Sequence, residues 1–158
     1  MRFILVDRVD ALTPGERIAG VKSIAMSEDV FADHFPDHPL FPGTLVVEAL
    51  AQLGGCLVEC TFHSRSEETR RAVLMQIERA KFHAPCRPGD QLEMTCTLAS
   101  ELEGASRVEA EARVRGERVA QATLDFRLVK VDSDRVHEQR RSLYRTWLSA
   151  LRPSFPIR

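Results

Sequence analysis

Three segments in the second half of the chain alternate strictly between apolar and polar residues. Their apolar positions are Leu92, Met94, Cys96 and Leu98, then Val108, Ala110, Ala112 and Val114, then Ala120, Ala122, Leu124, Phe126 and Leu128. A two-residue period is typical of strands that have one buried face and one wet face. Turn residues around Gly104 and at Gly116-Glu117 separate the segments, so the pattern predicts an antiparallel meander.

Further strands are predicted in the rest of the chain. Residues 3–9 indicate a short first strand, residues 13–15 (Thr-Pro-Gly) a turn, and residues 17–26 a second strand. Residues 71–82 predict another strand after a polar connection. Because the run at residues 72–75 is entirely apolar, we expect the start of that strand to be buried on both faces.

One long helix is predicted over residues 43–62, and its apolar residues cover nearly the whole circumference. Such a helix must be buried. A buried helix and a sheet with one apolar face complement each other, which predicts an α+β fold. The polar exceptions form one narrow line along the helix: Thr44, Glu48, Gln52 and Glu59.

Composition narrows the class of protein. The chain has 158 residues, 44% of them hydrophobic, which suits one ordinary domain with a real core. A net charge of −1 without a dense basic run argues against a nucleic-acid partner. No signal peptide is apparent, and polar residues interrupt the only stretch that approaches a membrane span. We therefore expect a cytoplasmic protein.

Metal binding and disulfides are not expected. The four cysteines Cys56, Cys60, Cys86 and Cys96 lack the spacing of a zinc site, and we interpret them as reduced and mostly buried. His34 and His38 are four residues apart, but the intervening prolines prevent a shared helical face and no third ligand is near in sequence.

The segment that leads into the helix carries the candidate chemistry. Pro36, Pro39 and Pro42 restrict the backbone, so we expect an extended, rigid loop around His34, with Pro42 at the first helical position. A lone His or Glu near an apolar helix is more often a satisfied core residue than a catalyst. The rigid loop, the histidines and the helical carboxyl group occur together here, and this combination favours a catalytic site.

These residues resemble a known signature. His34-Phe-Pro-x-His-Pro-x-Phe-Pro-Gly43, followed by Glu48-Ala-Leu-Ala-Gln52, resembles that of the FabZ-type 3-hydroxyacyl-acyl-carrier-protein dehydratases of bacterial fatty-acid synthesis. Residues 3–9, 79–85 and 88–90 are also similar to that family. The resemblance implies a hot-dog fold, in which an antiparallel sheet wraps around one central helix. It covers a dehydratase domain at residues 1–130 and leaves 131–158 as a C-terminal helical extension.

The resemblance also implies roles for individual residues. His34 would be the base for the C2 proton, and Glu48 would be the acid for the leaving hydroxyl, kept protonated by apolar surroundings. The Gly43 N–H would polarise the thioester carbonyl and Gln52 would orient Glu48. Phe35, Pro42 and Phe82 would line the acyl tunnel.

Substrate, product and assembly follow from the same resemblance. The acyl group would arrive on the phosphopantetheine arm of acyl carrier protein, with no metal or redox cofactor. The related dehydratase-isomerases carry aspartate where this chain has Glu48, so the expected product is the trans-2-enoyl thioester alone. The protein would be a homodimer or a trimer of dimers, with no membrane partner. Each site would combine His34 of one subunit with Glu48 of the other, since an extended loop would carry His34 away from its own helix.

Departures from the family pattern leave other readings open. Asp37 and Gln76 replace common glycines, and the usual opening residues are missing. A role in polyketide or aryl-polyene synthesis is therefore an alternative pathway. A hot-dog thioesterase is a rival, although such thioesterases lack the His-Phe-Pro segment. A non-catalytic acyl-carrier-binding module is another, if Asp37 disables the loop.

A helix is predicted over residues 135–151, capped by Ser133 or Asp134 and ended by Pro153. Leu143, Trp147, Leu148 and Leu151 would form its apolar stripe, and Arg140, Arg141, Arg145 and Arg152 would be exposed. Packing on its own domain or a sister subunit is favoured over a basic contact for an acidic carrier protein.

Overall fold

An antiparallel sheet wraps around one long helix in the computed structural model, which describes residues 3–151, 155, 157 and 158. The strands are β1 (Arg8–Thr13), β2 (Arg17–Ser23), β3 (Arg71–Phe82), β4 (Gln91–Leu102), β5 (Ala105–Val114) and β6 (Glu117–Val129). The helices are α1 (Gly43–His63) and α2 (Asp134–Trp147), with a short 3-10 helix at Asp29–Ala32. The predicted α+β class is confirmed.

The sheet has the strand order β1-β2-β4-β5-β6-β3, with every neighbouring pair antiparallel. The predicted meander is β4-β5-β6. Its two hairpin turns place Glu103-Gly104 and Arg115-Gly116 at positive φ, which is the two-residue turn that matches the twist of a hairpin. The strand β3 lies at one edge of the sheet, beside β6.

The core lies between α1 and the inner face of the sheet. Most of the alternating residues of β4, β5 and β6 point inward and are buried, including the small Ala110, Ala112, Ala120 and Ala122. These alanines let the helix approach closely. On the helix, Leu50, Leu53 and Leu57 are fully buried. The prediction that this helix lies in the core is therefore confirmed.

The first strand lies five residues later than predicted. Residues 3–7 are not in a strand, although the Asp7 N–H donates to Val21 O at 2.8 Å. The backbone of this segment is instead hydrogen-bonded to a side chain of α1, since the Leu5 N–H donates to Gln52 Oε1 at 2.9 Å. The second strand ends at Ser23 rather than residue 26, because the Ile24 N–H turns to Asp90 O at 2.9 Å.

The prediction that β3 is buried on both faces at its start is wrong. Val73 is 43% exposed and Met75 is 61% exposed. Val73 pairs with the exposed Arg127 and therefore faces outward, and Met75 lies at an irregularity between Leu74 and Gln76. Within this subunit, no described residue covers that outer face as a second layer would.

The predicted C-terminal helix is present as α2, capped by Ser133, whose side chain accepts from the Val136 N–H at 3.4 Å. Trp147 and Leu148 of the predicted stripe are buried, together with Tyr144. Arg140 was expected to be exposed, but it is half-buried, with its guanidinium 5.7 Å from the Tyr144 ring centroid. The expected positions of Arg152 and Pro153 lie outside the described residues. The division of the chain at residue 130 stays a prediction.

A buried ion pair joins α1, β3 and α2. Glu59 is fully buried and accepts from Arg71 Nη1 at 2.9 Å and from the Ala72 N–H at 3.0 Å. Arg71 Nε donates to His137 Nδ1 on α2 at 3.1 Å. Arg140 Nε lies 3.9 Å from Glu59 Oε1. The carboxylate that most needed a partner is therefore Glu59 rather than Glu48.

Candidate active site

The loop that carries His34 folds back on itself, so the extended loop predicted from its prolines is wrong. The Phe35 N–H donates to His38 O at 3.2 Å, and the His38 N–H donates to Phe35 O at 3.0 Å. The Leu40 N–H then donates to His34 O at 3.0 Å. These bonds form a small hairpin with Pro36 and Asp37 at its tip. His34 therefore lies beside Leu40 rather than far from the start of α1.

Asp37 makes this hairpin possible. Its φ is +60°, in the left-handed region that favours glycine and tolerates Asp and Asn. The glycine usual at this position in the resembled family suits the same turn. Asp37 is therefore compatible with the loop, and its side chain is exposed.

A backbone contact fixes the tautomer of His34. Its Nδ1 lies 2.8 Å from Leu40 O. A carbonyl oxygen only accepts, so Nδ1 carries the hydrogen, and Nε2 holds the free lone pair of the neutral ring. The ring of Phe35 stacks on the imidazole with centroids 4.2 Å apart, and the peptide bond between the two residues is cis. Nε2 is therefore the nitrogen available as a base.

Glu48 and Gln52 lie one turn apart on α1 and are hydrogen-bonded. Gln52 Nε2 donates to Glu48 Oε1 at 2.9 Å and to Phe3 O at 3.1 Å. Gln52 Oε1 accepts from the Leu5 N–H. With both ends of the amide committed, Gln52 has one orientation and directs an N–H at the carboxyl group. Glu48 is half-buried rather than enclosed.

The start of α1 lies under an aromatic ring. Pro42 is the N-cap, one residue before its predicted place, and no side chain caps the helix there. The Gly43 N–H is in the first turn, where helical geometry provides no partner for it. A Cβ on residue 43 would lie 2.7 Å from Phe82 Cε1, so any residue larger than glycine would have to displace that ring. Gly43 can therefore present its N–H to a ligand with the positive end of the helix dipole behind it.

A cavity of about 890 Å³ opens beside this face of α1. Glu48 and Gln52 line it, and Phe126, Leu74 and residues of α2 complete the walls. His34, Phe35, Pro42 and Phe82 do not belong to its lining. Phe35 and Phe82 are 50% and 54% exposed. Within one subunit, the cavity beside the candidate acid therefore does not include the candidate base. The tunnel roles of Phe35, Pro42 and Phe82 stay predictions.

Other chemistry finds little support. Across residues 3–151 and the described residues beyond them, no three His, Cys, Asp or Glu side chains are grouped so that they could hold a metal. The four cysteines are free and buried. Burial raises the pKa of the Cys86 thiol to about 11, so it is protonated at neutral pH and is a poor nucleophile.

The helix α1 is long and apolar enough to cross a membrane, contrary to the expectation from its polar residues. However, 78% of its most apolar window is buried inside the molecule. That is the arrangement of a core helix. Length and composition therefore do not distinguish the two cases here, whereas burial does.

Sequence reasoning missed two contributions to the site. One is the backbone of residues 3–5, which holds Gln52. The other is α2, which borders the cavity at Glu48. The first could not be found because a backbone group forms the same hydrogen bonds whatever its residue type. The second could not be found because the position of α2 depends on the Glu59–Arg71 pair, whose members are twelve residues apart.

Comparisons with known proteins agree on a family. The FabA-like domain matches over residues 1–123. The FabZ 3-hydroxyacyl-acyl-carrier-protein dehydratase of Thioalkalivibrio sulfidiphilus is 42% identical over 125 residues, covering 77% of this chain and 84% of the relative. The FabZ dehydratase of Geobacter metallireducens is 39% identical over 136 residues, covering 85% and 87%.

Solved structures agree on the fold. The dehydratase heterocomplex ApeI:P of Xenorhabdus doucetiae aligns with a TM-score of 0.66 at 16% identity, over 81% of this chain and 84% of that one. A hot-dog-like protein of Thermanaerovibrio acidaminovorans gives 0.63 at 19% identity, over 81% and 93%. At these identities the likeness concerns the hot-dog fold alone, and it confirms that prediction.

Proposed function

The chain belongs to the FabA-like family as a FabZ-like member, and we propose that it dehydrates 3-hydroxyacyl thioesters of acyl carrier protein in fatty-acid biosynthesis. The product would be the trans-2-enoyl thioester and the enzyme a hydro-lyase. One observation carries the proposal: the family match over residues 1–123 spans both His34 and the Glu48–Gln52 pair.

The proposed reaction uses the two groups in sequence. His34 Nε2 takes the proton from C2, and the electron pair of that C–H bond forms the C2–C3 double bond. The C3–O bond breaks, and Glu48 gives its proton to the departing hydroxyl, which leaves as water. The Gly43 N–H stabilises the charge that develops on the thioester oxygen. Proton exchange with water then restores neutral His34 and protonated Glu48.

Gln52 is a positioning residue in this scheme. Its amide is held by the backbone of Phe3 and Leu5 and donates to Glu48 Oε1. That bond leaves Glu48 Oε2 as the oxygen that carries the catalytic proton, because a donated hydrogen occupies the other.

We also propose a homodimer whose sites combine two chains. The cavity lined by Glu48 lacks His34, which supports a site completed by a second subunit. The edge strand β3 supports this. Ile77 and Phe82 pair with the buried Leu124 and Ala120, so they face inward, yet they are 49% and 54% exposed. An inner face left open on an edge strand suits a second copy of the chain.

The remaining parts of the proposal concern partners and place. The acyl group arrives on the phosphopantetheine arm of acyl carrier protein, and the mechanism above requires neither a metal nor a redox cofactor. The protein acts in the cytoplasm without a membrane or nucleic-acid partner, and its dimers could assemble further into a trimer of dimers.

Incubation with a 3-hydroxyacyl-acyl carrier protein tests the proposal. We expect the enoyl thioester, identified by mass and by its ultraviolet absorbance, and the trans-2 isomer alone. Release of a free thiol would instead indicate a thioesterase, and binding without conversion a non-catalytic module. Appreciable cis-3 product would overturn the assignment of dehydration only. His34→Ala and Glu48→Gln should each lower the rate by about a hundred- to ten-thousand-fold. Arg145→Gln, at an exposed position outside the cavity lining, should not.

A further inference from the structure

The C-terminal helix α2 borders the cavity that begins at Glu48. Eight of the nineteen residues that line the cavity belong to α2, among them Leu143, Arg140 and Trp147. The helix lies beyond the FabA-like match, which ends at residue 123. It is therefore a wall that this chain adds to the family domain.

The opposite wall is made of small side chains. Ala51 and Gly55 lie one and two turns along α1 from Glu48, and Ala72 faces them from β3. Because the missing side-chain volume leaves room, a channel runs along α1 between these residues and α2. Its length from Glu48 to Gly55 is about 10 Å, at about 1.5 Å per helical residue.

Arg140 lies at the far end of the channel. This side chain lines the cavity and also reaches Glu59, one turn beyond Gly55, at 3.9 Å. The apolar side chains of Ile4, Leu74, Phe126 and Leu143 face the space, and α2 also contributes the polar Glu138, Gln139, Ser142 and Thr146. A channel that begins at a carboxyl group, has these apolar side chains along it and ends beside Arg140 suits a linear acyl chain of limited length.

The wall is fixed in place rather than loosely attached. Arg71 bonds Glu59 of α1 and His137 of α2, and His137 Nε2 donates to Val131 O at 2.8 Å. Trp147 is 2% exposed and anchors the other end. Because both ends of α2 are held, the helix can limit what enters the channel.

We propose that α2 packs against the acyl chain of the substrate and sets the longest chain that the enzyme accepts. This inference rests on the proposed function, since it takes the acyl thioester as the ligand. Leu143 is the specificity-determining residue at the middle of the wall. The C-terminal extension thus limits the length of the acyl chain.

The test compares two variants that place the same large ring on α2. Leu143→Trp fills the channel, whereas Arg145→Trp adds the ring at an exposed position outside the lining. The ratio of kcat/KM for 3-hydroxydodecanoyl to 3-hydroxybutyryl acyl carrier protein should fall by about tenfold or more in Leu143→Trp. It should be unchanged in Arg145→Trp. An unchanged ratio in both folded variants would overturn the proposal.

A binding measurement separates this inference from the proposed reaction. Dodecanoyl-pantetheine has no hydroxyl to eliminate, so calorimetric titration reports the channel alone. We expect Leu143→Trp to weaken its binding by about tenfold and Leu143→Ala to retain or strengthen it. Wild-type binding without dehydration would reject the proposed function and keep the channel. Two results would reject the channel. One is a folded Leu143→Trp variant that binds with wild-type affinity. The other is a Leu143→Ala variant that loses as much affinity as is expected for Leu143→Trp.

Discussion

The ring of Phe82 lies so close to Gly43 that a Cβ on residue 43 would stand 2.7 Å from Cε1. The contact joins the end of β3 to the first residue of α1. The position of that ring and the start of the helix, where the Gly43 N–H lies, therefore depend on each other.

Gly43→Ala should displace the Phe82 ring and tilt the helix start. We expect kcat/KM to fall by about tenfold or more, because a shift of about 1 Å at a reacting group costs up to a hundredfold. Removing the ring should relieve the clash. The double variant Gly43→Ala/Phe82→Ala should then be more active than the product of the two single effects, as steady-state kinetics on all four proteins would show. Simple multiplication of the effects would contradict the packing argument.

The contribution of Asp37 to the loop is its left-handed backbone conformation and not the charge of its carboxylate. Asp37→Gly should therefore keep activity and change the free energy of unfolding by less than about 1 kcal/mol. Asp37→Val should destabilise the protein by about 1–3 kcal/mol, because a branched Cβ is strained at that φ. Urea unfolding and turnover measure both. If Asp37→Gly stayed folded but lost turnover, the carboxylate itself would have a part in the reaction.

The Glu59–Arg71 pair is buried at both ends, with side chains 0% and 2% exposed. Arg71→Met should lower the free energy of unfolding by about 3–5 kcal/mol, because it leaves a carboxylate buried without its partner. The double variant Glu59→Met/Arg71→Met should recover much of that loss. Arg70→Met is the matched control, since Arg70 pairs with Glu68 at a half-exposed site. Chemical denaturation of the four proteins decides the matter, and equal losses in the Arg71 and Arg70 variants would refute the role of the pair.

His63, at the end of α1, should make stability depend on pH. Burial, followed by the charge of Arg71, lowers its pKa from 6.5 to about 4. The folded state therefore resists protonation more than the unfolded state does. The stabilisation from keeping His63 neutral is present above pH 6.5 and is lost as the pH falls toward 4. The loss is at most about 3–4 kcal/mol, at 1.36 kcal/mol per pKa unit.

His63→Gln should remove this part of the pH dependence. Urea unfolding at several pH values between 7 and 4 would compare it with wild type. The difference in unfolding free energy between the two proteins should shrink or reverse in favour of the variant as the pH falls. A constant difference would mean that His63 does not titrate in this range.

Refolding His34→Ala together with Glu48→Gln tests whether a site is shared between two chains. Half of randomly formed dimers are mixed, and each mixed dimer has one intact site of two, so activity should return to about a quarter of wild type. Each variant refolded alone is the control. Absence of activity after proven subunit exchange would place both residues in one chain.

Much of the fold could be predicted from the chain because its periodicities are clean. The alternation in β4, β5 and β6 and the apolar circumference of α1 each permit one interpretation. The loop at His34 could not be derived from its prolines, since a single left-handed residue, Asp37, reverses a chain that the prolines would otherwise extend. Resemblance identified the residues of the candidate site, but not how they are supported.

The wrong predictions for Glu59 and Arg140 have a common cause. Glu59 looked like Glu48 on the same helical line, and only the position of Arg71 twelve residues later distinguishes them. Arg140 looked like a surface residue until that pair placed its helix. A pair of charges far apart in sequence leaves no pattern in the residues around either one. Burial of one face, in contrast, repeats along a helix or strand and can be read from the sequence.

Trp147 is the only tryptophan of the chain, and it lies on α2 with 2% of its surface exposed. Intrinsic fluorescence therefore reports on the docking of that helix against the rest of the molecule. Since Arg71 of β3 must already be paired with Glu59 of α1 before it can hold His137 in place, the helix has its attachment point only after β3 and α1 have met. In a stopped-flow refolding experiment, the indole signal should accordingly lag behind the far-ultraviolet dichroism of the sheet and α1.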